Sequence, residues 1–167
     1  MKEIFERRSV RKFTGEPIAD AQLEKLLRAA MRAPSAGNEQ PWEFIVVKSK
    51  ETMQKIREFH IYSQPLDTAA CAIVVCGDEE KQRFPDFWVQ DCSAATQNLL
   101  LEAVHLGLGA VWMGLYPMME RVEDCQKLFG LPKTVVPLGI IAVGTPAETP
   151  APMDTYKPER VHPESWE

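Results

Sequence analysis

Three guanidinium groups and a hydroxyl fall within five residues near the start of the sequence, at Arg7, Arg8, Ser9 and Arg11, with Lys12 beside them. Arginine offers planar forked donors that match phosphate oxygens and keeps its charge at every accessible pH, so this spacing suits a phosphate. A solvated basic face would use the same residues. The second stretch able to do chemistry is 33–42, Ala-Pro-Ser-Ala-Gly-Asn-Glu-Gln-Pro-Trp. Pro34 and Pro41 fix φ and turn the residues before them away from helix. Ser35, Ala36 and Gly37 carry almost no side chain, which lets a flat body approach the main chain. Asn38 and Gln40 add amide donors and acceptors that can equally brace the loop itself. An ordinary helix-to-strand connector fits these residues as well as a ligand site does.

Other chemistries find less support. Cys71, Cys76, Cys92 and Cys125 lack Cys-x-x-Cys spacing, and His60, His105 and His162 lie far apart, so neither zinc nor a disulfide framework has a signature. Buried, reduced thiols are the expectation, with a catalytic Cys–His pair the weaker alternative. Gly107-Leu108-Gly109 does not make a dinucleotide fingerprint: a helix precedes it, a strand follows, and Trp112 stands where the third glycine belongs. No P-loop pattern is present.

The elements that must position these residues follow from periodicity. A short helix from Ile4 ends near Arg8. Asp20 is expected to cap a helix whose Leu23, Leu26, Leu27, Ala30 and Met31 repeat at helical spacing and run straight into 33–42. Trp42 should anchor that loop to the core ahead of a strand over 43–48. A charged helix over 51–59, an ambiguous 60–68 and a continuous apolar strand over 72–77 come next. The longest helix, 87–106, is apolar beyond one stripe, since Val89, Leu101 and Val104 widen it, and a subunit interface is the economical cover. A strand over 110–114, a helix over 119–129 capped by Gly130 and a strand over 135–143 interrupted by Pro137 complete the body. Five prolines within 145–163 preclude regular structure over much of the tail. Its Met153, Tyr156, Val161 and Trp166 suit an extended arm lying on a surface.

The 167 residues fit one domain, 1–167, with the arm beginning at about 145. A hydrophobic fraction of 45% with 26% charged residues is ordinary for a soluble protein, and a net charge of −5 gives no footprint for nucleic acid. No apolar run reaches the ~20 residues that a membrane span needs and no leader-like segment follows Met1, so a cytoplasmic location is expected.

Taken together, Arg-Arg-Ser-Val-Arg-Lys-Phe at 7–13, the stretch 33–44, the helix-to-strand unit 91–114 and Gly-Thr-Pro-Ala-Glu at 144–148 resemble the FMN-dependent nitroreductase family over nearly the whole chain. The resemblance implies an α+β nitroreductase-like fold: a central mixed or antiparallel sheet flanked by helices, a long dimer-core helix and an extended C-terminal arm. It implies a homodimer with two FMN sites built from both chains. Arg7, Arg8 and Ser9 would hold the FMN phosphate and ribityl chain, and Arg11 would face the N1/O2 edge of the flavin ring. Pro34, Ser35 and Ala36 would reach the ring from the partner chain, with Asn38 nearby. Lys157 and Arg160 would close on the phosphate from the arm, and Met113, Gly114 and Leu115 would bring backbone amides to the N5/O4 edge. In 60–68, Gln64 is the one amide side chain available to the ring.

The implied activity is an NAD(P)H-dependent oxidoreductase that passes hydride through flavin N5 to a quinone or nitroaromatic, in two half-reactions. The flavin would supply the redox chemistry, which accords with the lack of an acid–base pair. Alternatives are a non-enzymatic FMN-binding or interaction protein, or a flavoenzyme of the same fold performing dehalogenation or flavin fragmentation. The short connection after Gly114 leaves the acceptor more open than the cofactor.

Overall fold

A computed structural model describes residues 2–151 and 153–166. Among these residues five helices and four strands follow one another as α1 (Lys2–Glu6), α2 (Asp20–Ala30), β1 (Trp42–Val47), α3 (Lys50–Phe59), β2 (Cys71–Asp78), α4 (Trp88–His105), β3 (Gly109–Gly114), α5 (Met119–Phe129) and β4 (Val135–Gly144). Single helical turns occur among the described residues at Ala36–Asn38, Gln64–Asp67, Glu79–Lys81 and Pro158–Arg160.

The strands form one sheet in the order β1-β2-β4-β3, every neighbouring pair antiparallel. The expected choice between mixed and antiparallel is thus resolved as antiparallel. Both central strands are buried along nearly their whole length, and alternating side chains demand cover on both faces. α4 packs against all four strands with α1 and α2 behind it, while α5 packs on β4 and α3 on α5.

One local expectation is corrected and another takes a definite form. Asp20 is the first helical residue rather than the cap: Ala19 takes that position, its N–H donates to Gln22 Oε1 at 3.0 Å, and the Asp20 carboxylate instead pairs with Lys48 across the loop. Pro137 interrupts the pairing of its strand as expected, while the strand itself continues through it. A register shift between Val75 and Cys76 pairs those residues with Gly139 and Pro137, so the missing N–H falls at a bulge. Leu138, skipped in that pairing, offers its carbonyl to the N–H groups of Leu115 and Tyr116 at 3.0 and 3.2 Å. These bonds end β3 and turn the chain toward α5.

Candidate functional site

The basic stretch is held by its apolar neighbours. α1 closes with Arg7 N–H donating to Glu3 O at 2.9 Å. The chain then runs extended beside β3: Ser9 makes a parallel bridge to Ala110, and Val10 N–H donates to Ala110 O at 3.1 Å. Gly109 permits this approach, because a Cβ there would meet Val10 Cγ1 at 2.7 Å. Farther on, Phe13 is pinned to the exit of β4 by a bridge to Pro146 and by its N–H to Thr68 Oγ1 at 3.2 Å. Val10 and Phe13 are buried, so the residues around them are presented outward from a fixed rail.

Arg7, Arg8, Ser9 and Arg11 line one cavity of about 480 Å³ with Glu148, Thr149 and Pro150. Glu148 is engaged as a clamp, its Oε1 accepting the backbone N–H of Arg11 at 2.8 Å. Arg8 donates to the carbonyl of Ala151, and Arg11 Nη1 donates to Ser9 O at 3.3 Å. Among the described residues, none of the three guanidiniums has a carboxylate oxygen within 4.0 Å. Three guanidiniums that line one cavity without a direct ion pair, beside a single Glu148 carboxylate tied to the Arg11 amide, suit a multiply charged anion.

Arg11 also lines a second cavity of about 410 Å³, walled by Tyr62, Pro65, Trp112, Met113, Gly114, Leu115, Tyr116, Met118 and Arg121, with His60 at its floor. His60 is buried at 1% exposure. Its Nδ1 accepts Tyr62 N–H at 3.3 Å, which assigns the proton to Nε2, and Nε2–H donates to Gly114 O at 2.9 Å. Burial holds the His60 pKa below its ordinary value, with the Arg121 charge acting in the same direction. Val10 N–H bonding outward to Ala110 O and Leu115 N–H bonding inward to Leu138 O fix the alternation of β3. Gly114 therefore turns its N–H to the open edge, beside this cavity, whereas the Leu115 amide is committed to the sheet.

The loop over 33–42 stands apart from both cavities. Its polar side chains brace it: Ser35 Oγ accepts Gln40 N–H at 3.0 Å, and Asn38 Oδ1 accepts from Gln40 Nε2 at 3.3 Å. Asn38 and Gly37 take left-handed conformations, with φ of 57° and 53°. Buried Asp91 on α4 accepts Ala36 N–H at 3.0 Å, and Glu39 Oε2 accepts the N–H groups of Arg83 and Phe84. Trp42 anchors the loop at 7% exposure.

Pro34, Ser35, Ala36 and Asn38 thus line neither cavity of their own chain, nor do Lys157 and Arg160, which are exposed on the arm. Arg7, Arg8, Ser9 and Arg11 are brought together, and Met113, Gly114 and Leu115 join them through Arg11. Gln64 is turned away, its Nε2 donating to Ile61 O at 2.6 Å. No signal in the sequence pointed to Tyr62, Tyr116 or Arg121, and His60, Trp112 and Glu148 drew notice there only in other connections. The four cysteines are buried and unpaired, and burial pushes the Cys71 thiol up to about 11 and those of Cys92 and Cys125 to about 12. Both ring nitrogens of His60 are engaged by backbone groups, so among the described residues it has no hydrogen-bonded cysteine partner.

Comparison with known proteins places this geometry. The model of the "Nitroreductase family" matches residues 4–64 and 60–145. A protein of Methanothermobacter thermautotrophicus designated a candidate NADH dehydrogenase/NAD(P)H nitroreductase is 46% identical over 99% of this chain and 87% of its own. A solved structure described as a candidate NADH oxidase from Clostridium acetobutylicum superposes with a TM-score of 0.95 at 44% identity, covering 98% of this chain and 99% of that one. An FMN-dependent nitroreductase from Clostridium difficile gives a TM-score of 0.91 at 28% identity, covering 99% and 100%. With the arginine rail, the antiparallel sheet and these likenesses together, the chain belongs to the nitroreductase family.

Proposed function

We propose that this chain is an FMN-dependent NAD(P)H oxidoreductase that acts in the cytoplasm as a homodimer and reduces a small acceptor such as a quinone or a nitroaromatic. The observation that carries this reading is the position of Arg11, which lines both cavities and so joins a phosphate-type surface to an aromatic-walled one. FMN has that shape: a dianionic phosphate at one end and a flat ring at the other. When bound, FMN supplies the chemistry of accepting hydride from a nicotinamide and delivering it to an acceptor.

The chain's own groups then have separable roles. Arg7, Arg8 and Ser9 hold the phosphate. Arg11 carries a fixed charge to the ring end, where it offsets negative charge that builds on reduction. The outward N–H of Gly114, beside Met113, donates to the ring edge. Leu115 supplies buried shape rather than an amide. Pro34, Ser35, Ala36 and Asn38 come from the partner chain, and Lys157 and Arg160 close from an arm. Supporting this division, Phe5, Tyr156 and Trp166 are 81%, 73% and 86% exposed on the single chain, and Val89, Leu101 and Val104 on α4 are only partly covered. Apolar surface of that extent calls for a second copy.

Replacing single arginines separates these roles. Arg7→Ala is expected to purify without flavin, whereas Arg11→Ala retains FMN but is reduced more slowly by NAD(P)H. Full flavin content and full turnover in both variants would show that these arginines are elsewhere than the reading puts them.

A further inference from the structure

The cavity beside Gly114 holds a second cation for which flavin binding has no use. Arg121, in the first turn of α5, lies with its guanidinium carbon 5.7 Å from the Tyr62 ring centroid, and its Nη1 reaches Gly114 O at 3.4 Å. The ring contact and the half-buried stem fix where the charge sits. Among the described residues no carboxylate oxygen lies within 4.0 Å of it, and no acidic residue lines the cavity at all. The chain carries a net charge of −5, so a cavity with two arginines and no acid departs from the charge balance around it. Tyr62, Trp112 and Tyr116 give the walls a flat, aromatic character, and Trp112 and Tyr116 are each 36% exposed at its mouth.

We propose that Arg121 is the specificity-determining residue for the acceptor: it binds the carboxylate of a small aromatic substrate whose ring lies against the flavin. This rests on the flavin reading above. With Arg11 engaged at the flavin, Arg121 is the cation left to meet the next molecule to enter. Its reach favours a compact acid over a nucleotide. Arg121 touches the carbonyl of Gly114, the residue whose N–H is assigned to the flavin edge, so it meets an anion attached directly to the reacting ring. The pyrophosphate of a nicotinamide nucleotide is separated from its reacting carbon by a ribose. The planar fork of arginine pairs with a carboxylate through two parallel hydrogen bonds, which gives orientation as well as affinity. The cation–π contact with Tyr62 keeps the fork in place before the ligand arrives.

The test uses FMN-loaded protein and two redox-inert probes of the same shape, benzoate and benzamide, titrated while the flavin absorption is followed. Wild type is expected to bind benzoate about tenfold or more tighter than benzamide, in line with charge-assisted bonds to one guanidinium. Arg121→Ala and Arg121→Gln bring that ratio close to one, and Arg121→Lys keeps part of it. The kcat/KM ratio of 4-nitrobenzoate over 4-nitrobenzamide falls by the same factor, with the KM for NAD(P)H unchanged. A wild-type ratio near one, or an Arg121→Gln variant that raises the KM for NAD(P)H and leaves the acid preference intact, overturns the proposal. A protein that takes FMN and is reduced by NAD(P)H yet ignores the carboxylate contradicts this assignment alone. One that never takes FMN contradicts the flavin reading as well.

Discussion

His60 and Gly114 are 54 residues apart in sequence, yet the imidazole Nε2–H of one donates to the carbonyl of the other across 2.9 Å. With Nδ1 accepting Tyr62 N–H, the ring ties the 60–68 connection to the last residue of β3 and leaves neither nitrogen free. It works as a neutral strut under the ring cavity, and its protonation would break one of those two bonds.

A pH dependence of stability follows. Burial lowers the folded pKa of His60 below the usual 6.5, so the unfolded chain binds the proton more readily. The stability it contributes is fully present above pH 6.5 and is lost as pH falls from there toward the folded value. Urea melts across that range are expected to show wild-type stability declining with falling pH, and His60→Gln to lose the histidine part of that slope. At neutral pH His60→Ala costs roughly 2–3 kcal/mol, because Tyr62 N–H loses its acceptor, Gly114 O keeps only the longer bond from Arg121, and a cavity remains.

Gly109 controls the flavin site at one remove. A methyl group there meets the Cβ of Val10 at 2.8 Å and its Cγ1 at 2.7 Å, and Val10 has no flexible end to swing away. Gly109→Ala therefore shifts the rail that carries Arg7 to Arg11, costs roughly 1–3 kcal/mol of stability and weakens FMN binding. Adding Val10→Ala in the same chain removes the Cγ contacts but keeps the Cβ contact at 2.8 Å, so it restores only part of the FMN affinity, measured by fluorescence titration. Unchanged affinity in Gly109→Ala would show that the rail does not position the arginines.

Asp91 fastens the 33–42 loop to α4. One oxygen accepts Ala36 N–H, while Oδ2 is buried without a partner among the described residues. Burial raises the folded pKa of Asp91, with the Glu39 charge in support, so the stability this group lends is present below pH 3.8 and declines as pH rises through the folded value. Asp91→Asn keeps an acceptor for Ala36 without the charge and is expected to be at least as stable as wild type at pH 7. Asp91→Ala orphans the Ala36 amide and costs roughly 1–3 kcal/mol in the same denaturation experiment.

The fold was largely legible in the sequence because its signals are local. The unbroken apolar run at β2, the helical repeat of α2 and the glycine after α5 each lie within one element. Gly130 takes the expected left-handed cap, with φ of 63°. Asp20 misled because its carboxylate answers to Lys48, 28 residues away, and not to its own helix. The arginine cluster was legible as a cluster, since contiguous residues on an extended rail stay together when the chain folds. His60 and Arg121 were not, because each is defined by its bond to Gly114, and one histidine in a loop or one arginine on a charged helix looks like surface. Gln64 drew notice as an amide side chain, yet its nearest acceptor, Ile61 O, lies in its own turn.

The absorption spectrum of the purified protein, before and after anaerobic addition of NADH and then NADPH, shows whether the chain is a flavin reductase. Bound-flavin bands are expected that bleach with one or both nucleotides and return when a quinone is added. A colourless protein that also fails to take up added FMN would contradict that reading, and the three arginines would then be a solvated basic face.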